Sequence, residues 1–152
     1  MENLKERSLK KYTKAIDAVQ SLRLAIDGMN KVDSIAKSSK EYPEFIYRTF
    51  RDSLIQRFEY SFDQTWKYLN DYLESQGRKI EIQTPKSVFR EGFKANILSE
   101  ETTRQAIEMT DHRNLTTHGY NEKLVEEISQ QVPKYYNLMN NILNKTKLKP
   151  NF

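Results

Sequence analysis

The chain contains no cysteine. Disulfides, thiolate metal sites and a cysteine nucleophile are therefore excluded, and a reducing compartment fits. Histidine is almost as scarce: His112 and His118 are the only two. Four glycines and four prolines in 152 residues, with 30% charged residues, leave little material for turns. A β-rich fold needs many turn residues, so the composition argues for long helices instead. No run of about 18 apolar residues occurs, and no membrane span is expected. The charged opening from Met1 to Arg7 lacks the apolar stretch of a signal peptide. A cytoplasmic protein is the expectation. What is present in excess is weak positive charge, a net +4 with a pI near 9.1. That permits contact with nucleic acid or nucleotides without requiring it. Part of the excess is Lys145, Lys147 and Lys149, which read as a solvated tail.

Apolar spacing divides the chain into five segments. Leu9, Tyr12, Ile16, Val19, Leu22 and Ile26 recur at threes and fours, which predicts a helix over about 4–26. Gly28 and Asn30 then act as stop signals. Residues 30–45 read as a polar connection with room for one helical turn at 32–36. The second helix, 47–75, carries Phe50, Leu54, Phe58, Phe62, Trp66, Leu69 and Leu73 on one stripe. Tyr60, Tyr68 and Tyr72 spread aromatic mass round it, so it needs cover on more than one side, some of it from a partner chain. Gly77 ends it. Residues 78–83 alternate like a strand, but with nothing to pair with they read as an extended linker.

Thr84 and Pro85 form a cap and first-turn proline for a short third helix. Its expected buried face is Val88, Phe89 and Phe93, weakened slightly by Gly92. Ser99, Glu100 and Glu101 open a fourth helix that runs through Ile107 and Leu115 and is expected to end near Gly119. Asn121 caps a fifth, with Leu124, Ile128, Val132, Tyr135, Leu138 and Ile142 as its stripe. Pro133 predicts a kink or break about one turn before it. Short links between amphipathic helices predict an all-α fold: an up-and-down four-helix bundle with an additional short helix. One domain over residues 1–152 is expected, with 146–152 as a flexible tail.

The segment Asp111 to Tyr120 concentrates polar chemistry near a helix end: Asp111, Arg113, Asn114, Thr116, Thr117, His118 and Tyr120. Asn114 and His118 are four apart and share a stripe. Arg113 and His118 are five apart, roughly 140° round a helix. They converge only if the helix ends there or if two subunits bring these ends together. Arginine presents a planar fork matched to phosphate oxygens. Histidine moves protons near neutral pH, and the negative helix end favours its charged form. The pair suits metal-independent RNA cleavage, with His118 acting on the 2′-hydroxyl or the leaving oxygen and Arg113 on the phosphorane charge. From residue types alone, a structural reading stands beside this one: Arg113 paired to an acid and His118 packed at a cap.

Residues 113–120, Arg-Asn-Leu-Thr-Thr-His-Gly-Tyr, resemble the Arg-x4-His-x-Tyr signature of HEPN domains, helical proteins of prokaryotic defence and toxin–antitoxin systems. Asn114 fits the polar residue usual after the arginine. Residues 51–67 and 85–94 look like the branch called nucleotidyltransferase substrate-binding proteins, and the resemblance covers about 4–145 in the same order. It implies a four- or five-helix bundle that dimerises with the signature helices facing a shared cleft. It also implies a partner, a minimal nucleotidyltransferase, which in related pairs is the antitoxin and can adenylylate the signature tyrosine. Carried over, Arg113 and His118 are catalytic, Asn114 orients them, and Tyr120 is the modified residue. Thr117 and Asp111 are weaker candidates for substrate contact. The expected ligand is RNA or a nucleotide, with no metal or other cofactor. The rival reading is a non-catalytic nucleotide- or substrate-binding subunit of a two-component nucleotidyltransferase.

Other residues read blandly. His112 and His118 are six apart, on different sides of a helix, and do not suit a shared metal. Asp111 either holds His112 or Arg113 or is solvated. Arg57 and Glu59 read as a surface pair, with Arg57 buried against an acid at an interface as the alternative. Trp66 reads as core, Tyr135 and Tyr136 as core and edge. No Gly-Ser…Asp-x-Asp pattern of a nucleotidyltransferase is present. That chemistry belongs to another chain.

Overall fold

In a computed structural model that describes residues 3–40, 42–117 and 121–148, the chain forms five α-helices and, among those residues, no strand. They are α1 (Leu4–Ser38), α2 (Pro43–Ser75), α3 (Pro85–Lys94), α4 (Glu100–Leu115) and α5 (Glu122–Lys145). The expected all-helical bundle with one short helix is what the chain adopts.

The first helix starts at a capping box. Asn3 accepts the Glu6 amide at 2.8 Å, and the Glu6 carboxylate receives the Asn3 amide at 3.4 Å. It does not stop at Gly28. The stripe continues through Met29, Val32 and Ala36, which pack inward. Gly28 is kept for proximity: a Cβ there would lie 3.3 Å from the Phe50 ring. Packing against α2 thus outweighs a helix-propensity cost of about 1 kcal/mol. The expected connection over 30–45 shrinks to the few residues between Ser38 and Pro43, and α2 begins at Pro43, a proline in its first turn.

Contacts between α1 and α2 run in opposite directions along the chain. Arg7 meets Asp71, Ser61 donates to the Ala18 carbonyl, and Arg57 donates to the Ser21 carbonyl. The two long helices are therefore an antiparallel pair. Contacts between α2 and α5 rise together: Tyr47 with Glu126, Phe58 with Tyr135, Tyr68 with Thr146. So α5 lies parallel to α2, as the fourth long helix of an up-and-down bundle must. At the far end of α2, Gly77 (φ 84°) lets the Arg78 amide reach the Leu73 carbonyl at 2.9 Å and its own amide reach Glu74 at 3.0 Å. This double bond satisfies the last carbonyls of the helix.

The core gathers round α2. Phe58, Phe62, Tyr68, Leu69 and Leu73 are buried against Leu22, Phe89, Met109, Tyr135 and Met139. Phe58 stacks on Tyr135 with ring centres 5.6 Å apart. Trp66 packs at the core's edge, partly buried. On α3 the expected face shifts by one residue. Val88, Phe89 and Gly92 face inward, and Phe93 is 45% exposed. A Cβ on Gly92 would sit 3.1 Å from Leu98, so close approach at Gly92 turns the helix and leaves Phe93 outside. Pro133 does not break α5, which is continuous through it. Of the tail expected from residue 146, Thr146 is fully buried and Leu148 packs on the core. Among the described residues, no helix is long and apolar enough to cross a membrane.

Candidate functional site

Arg113 and Asn114 occupy the last turn of α4. The helix ends at Leu115, short of the expected Gly119, because two threonine hydroxyls take over the final carbonyls. Thr116 Oγ1 donates to the Arg113 carbonyl and Thr117 Oγ1 to the Asn114 carbonyl, each at 2.7 Å. Such local bonds compete with continued helix. His118 and Tyr120 lie outside the described residues. The described chain resumes at Asn121, whose side chain accepts the Leu124 amide at 3.1 Å and caps α5 as expected.

Arg113 is not free. Its Nη1 lies 3.1 Å from Glu59 Oε2, and its Nη2 lies 3.3 Å from Asp63 Oδ2. Glu59 and Asp63 are one turn apart on α2, so two carboxylates hold one guanidinium whose side chain is only 18% exposed. Arginine–acid pairing, which residue types alone left open, is therefore present. Asn114 and Thr117 are exposed. Asp111 turns the other way. Its Oδ1 is 2.6 Å from Lys86 Nζ, which ties α4 to α3 rather than to Arg113 or His112. His112 Nδ1 is hydrogen-bonded to the buried hydroxyl of Tyr135, joining α4 to α5. Burial, and then the charge of Glu108, push the Tyr135 hydroxyl pKa up. The weighed pairing of Arg57 with Glu59 does not form. Arg57 binds the Ser21 carbonyl at 3.0 Å, and Glu59 goes to Arg113.

Sequence reasoning passed over the most buried charge in this region. Arg51 on α2 is 2% exposed. Its Nη1 donates to Glu122 Oε2 at 2.7 Å and to Glu126 Oε2 at 3.3 Å, and its Nη2 donates to Glu122 Oε1 at 3.2 Å. The fork on Glu122 is bidentate, the strong form of this contact. The Tyr47 hydroxyl donates to Glu126 Oε1, and burial followed by that bond pushes its pKa up to about 12. Arg48 Nε lies 3.6 Å from Glu122. The available signal was a charge on an apolar stripe. Arg51, Leu54, Ile55, Phe58 and Phe62 share a buried face, and counting that face from Phe50 hid the arginine.

A helical bundle with a polar segment between the end of its fourth helix and a charged clamp at the start of its fifth is the class that fold and site define. The chain belongs to the nucleotidyltransferase substrate binding protein like family, whose profile matches residues 7–148. The HEPN-type resemblance is consistent with that family. A crystal structure of a protein from Thermus thermophilus is similar at a TM-score of 0.62 and 34% identity, over 82% of this chain and 99% of that one. Comparison with curated proteins gives no match.

Proposed function

We propose that this chain is the HEPN-type partner of a separate minimal nucleotidyltransferase and the toxin half of a toxin–antitoxin pair. In this reading two copies face their signature segments across a cleft and cut RNA without a metal. Arg113 stabilises the charge on the non-bridging oxygens of the phosphorane, Asn114 orients the pair, and His118 takes the proton from the 2′-hydroxyl. The freed 2′-oxygen attacks phosphorus, the bond to the 5′-oxygen breaks, and that oxygen leaves with a proton from water, to which His118 later returns the one it took. The products are a 2′,3′-cyclic phosphate and a 5′-hydroxyl. The partner adenylylates Tyr120, which places a bulky anion two residues from His118 and stops the reaction.

The observation that carries the reading is the placement of Arg113 in the last turn of α4, at the start of the signature segment, with its guanidinium oriented by Glu59 and Asp63. Preorganised charge of this kind is what phosphoryl chemistry uses. The same observation favours one rival. An arginine that exchanged one of its two carboxylates for a phosphate would hold a nucleotide for the partner enzyme without cutting anything. The test is incubation of an oligoribonucleotide with the purified chain in EDTA, after intact mass shows Tyr120 unmodified. Cleavage is expected. Absence of cleavage, with nucleotide binding that weakens in Arg113→Ala, replaces the nuclease with the binding subunit.

A further inference from the structure

Positive charge is not spread evenly along the chain. From the end of α2 to the end of α3, residues 78–94 carry five basic and two acidic side chains, which is +3 of the net +4. The fold then sorts these charges. Glu91 is the one acid of α3, and Arg78 holds it, Nη1 to Oε1 at 3.0 Å. Lys86, Arg90, Phe93 and Lys94 follow the helical period and share one stripe of α3. Val88, Phe89 and Gly92 are buried on the other side, so the stripe faces outward.

Arg90 and Lys94 are exposed and pair with no acid among the described residues. Phe93 holds an apolar ring in water beside them, 45% exposed. Lys86 begins the stripe and is tied to Asp111, two residues before Arg113. From there the stripe runs about 12 Å along α3. Exposed cations interleaved with an exposed aromatic ring suit a single-stranded nucleic acid. The cations follow phosphates, and the ring stacks on a base. A duplex keeps its bases stacked on one another and would leave the ring uncovered. A merely solvated helix face has no use for the ring at all.

We propose that the outer face of α3 binds single-stranded RNA: Arg90 and Lys94 contact backbone phosphates, and Phe93 stacks on a base. The surface holds RNA and takes no part in breaking a bond. The inference rests on the reading of this chain as one that meets RNA, and it is separate from whether the chain cuts it.

The test is binding of a fluorescent oligoribonucleotide to the full chain in EDTA, followed by anisotropy across a salt series. The probe is 2′-O-methylated throughout, so that it cannot be cut. Arg90→Glu/Lys94→Glu should weaken binding about tenfold at low salt. It should also flatten the slope of log affinity against log salt by roughly 1.4, the share of two phosphate contacts on a single strand. Phe93→Ala should weaken binding about tenfold with the slope unchanged, because stacking releases no counterions. Lys31→Glu/Lys37→Glu makes the same change in net charge at two exposed lysines of α1 and should cost less than about threefold. If the reversal variant fails to fold, Arg90→Gln/Lys94→Gln should show a smaller loss in the same direction. Wild type that does not bind the probe overturns the proposal. So do α3 variants that bind like wild type, which would leave the stripe to an acidic protein surface, and a loss in the α1 variant as large as that on α3. Cleavage of an unmethylated oligonucleotide is scored separately. Loss of binding in the α3 variants with no cleavage by wild type keeps this surface and removes the nuclease; cleavage with unchanged binding does the reverse.

Discussion

If the proposed site cuts RNA, replacing His118 with alanine is expected to lower cleavage by about 10²–10⁴-fold, the usual contribution of a positioned acid–base group, and to leave helicity unchanged. The chain has only one other histidine, and that one is engaged elsewhere: His112 is bonded to Tyr135 across the α4–α5 contact. No second imidazole stands ready to replace His118 in the segment. His112→Ala has the opposite profile. It removes a cross-link between helices, so it lowers the melting temperature and affects cleavage only through the fold. Rates measured in EDTA, beside melting curves for both variants, separate the two. Equal cleavage by wild type and His118→Ala means that the activity is not that of this site.

The second large effect is an asymmetry in stability across the α2–α5 clamp. Glu122 and Glu126 side chains are 41% and 35% exposed, whereas Arg51 is 2% exposed. Removing the arginine lets two carboxylates turn to water. Removing the carboxylates strips a buried guanidinium of its two α5 acids, while Asp52 on α2 stays 3.5 Å away. Breaking a buried ion pair from the side that leaves the buried charge behind costs about 3 kcal/mol or more, while an apolar replacement of similar volume is close to neutral. Glu122→Ala/Glu126→Ala is therefore expected to lower unfolding stability by about 3 kcal/mol, and Arg51→Met by about 1 kcal/mol or less. Urea unfolding midpoints measure both. The reverse order would mean that Arg51 is not effectively buried.

Local chemistry was legible in the sequence where it was self-contained. The caps at Thr84, Ser99 and Asn121 each accept an amide three residues on, and all three start the helices they predicted. The stripes of α2 and α5 were legible for the same reason, since helical period alone sets which residues share a face. Features that depend on a distant neighbour were not. Gly28 looks like a stop until Phe50 is seen against it. Phe93 and Gly92 compete for the inward face of α3, and Leu98 decides between them. The signature segment announced Arg113 and Asn114, but the acids that hold Arg113 lie on α2, far earlier in the chain and each one residue past the aromatic stripe at Phe58 and Phe62. Arg51 was hidden in the same way, its partners lying on the last helix. Spacing within a helix reports which side chains share a face, and says nothing about which helix that face meets.

Tyr120 gives the pair of readings different consequences. If the site cuts RNA, adenylylation of its hydroxyl is an off-switch, because added phosphate charge repels the RNA backbone that Arg113 is there to meet. If the site only holds a nucleotide, the same modification is a transfer product. The chemistry of the cut distinguishes them before any partner is added. The most direct measurement is mass analysis of the ends made when the unmodified chain meets a defined oligoribonucleotide in EDTA. The account predicts a 2′,3′-cyclic phosphate on one fragment and a 5′-hydroxyl on the other, and no cut where the 2′-hydroxyl at the scissile nucleotide is replaced by hydrogen. A 5′-phosphate end, cutting at the 2′-deoxy position, or an intact oligonucleotide would contradict it.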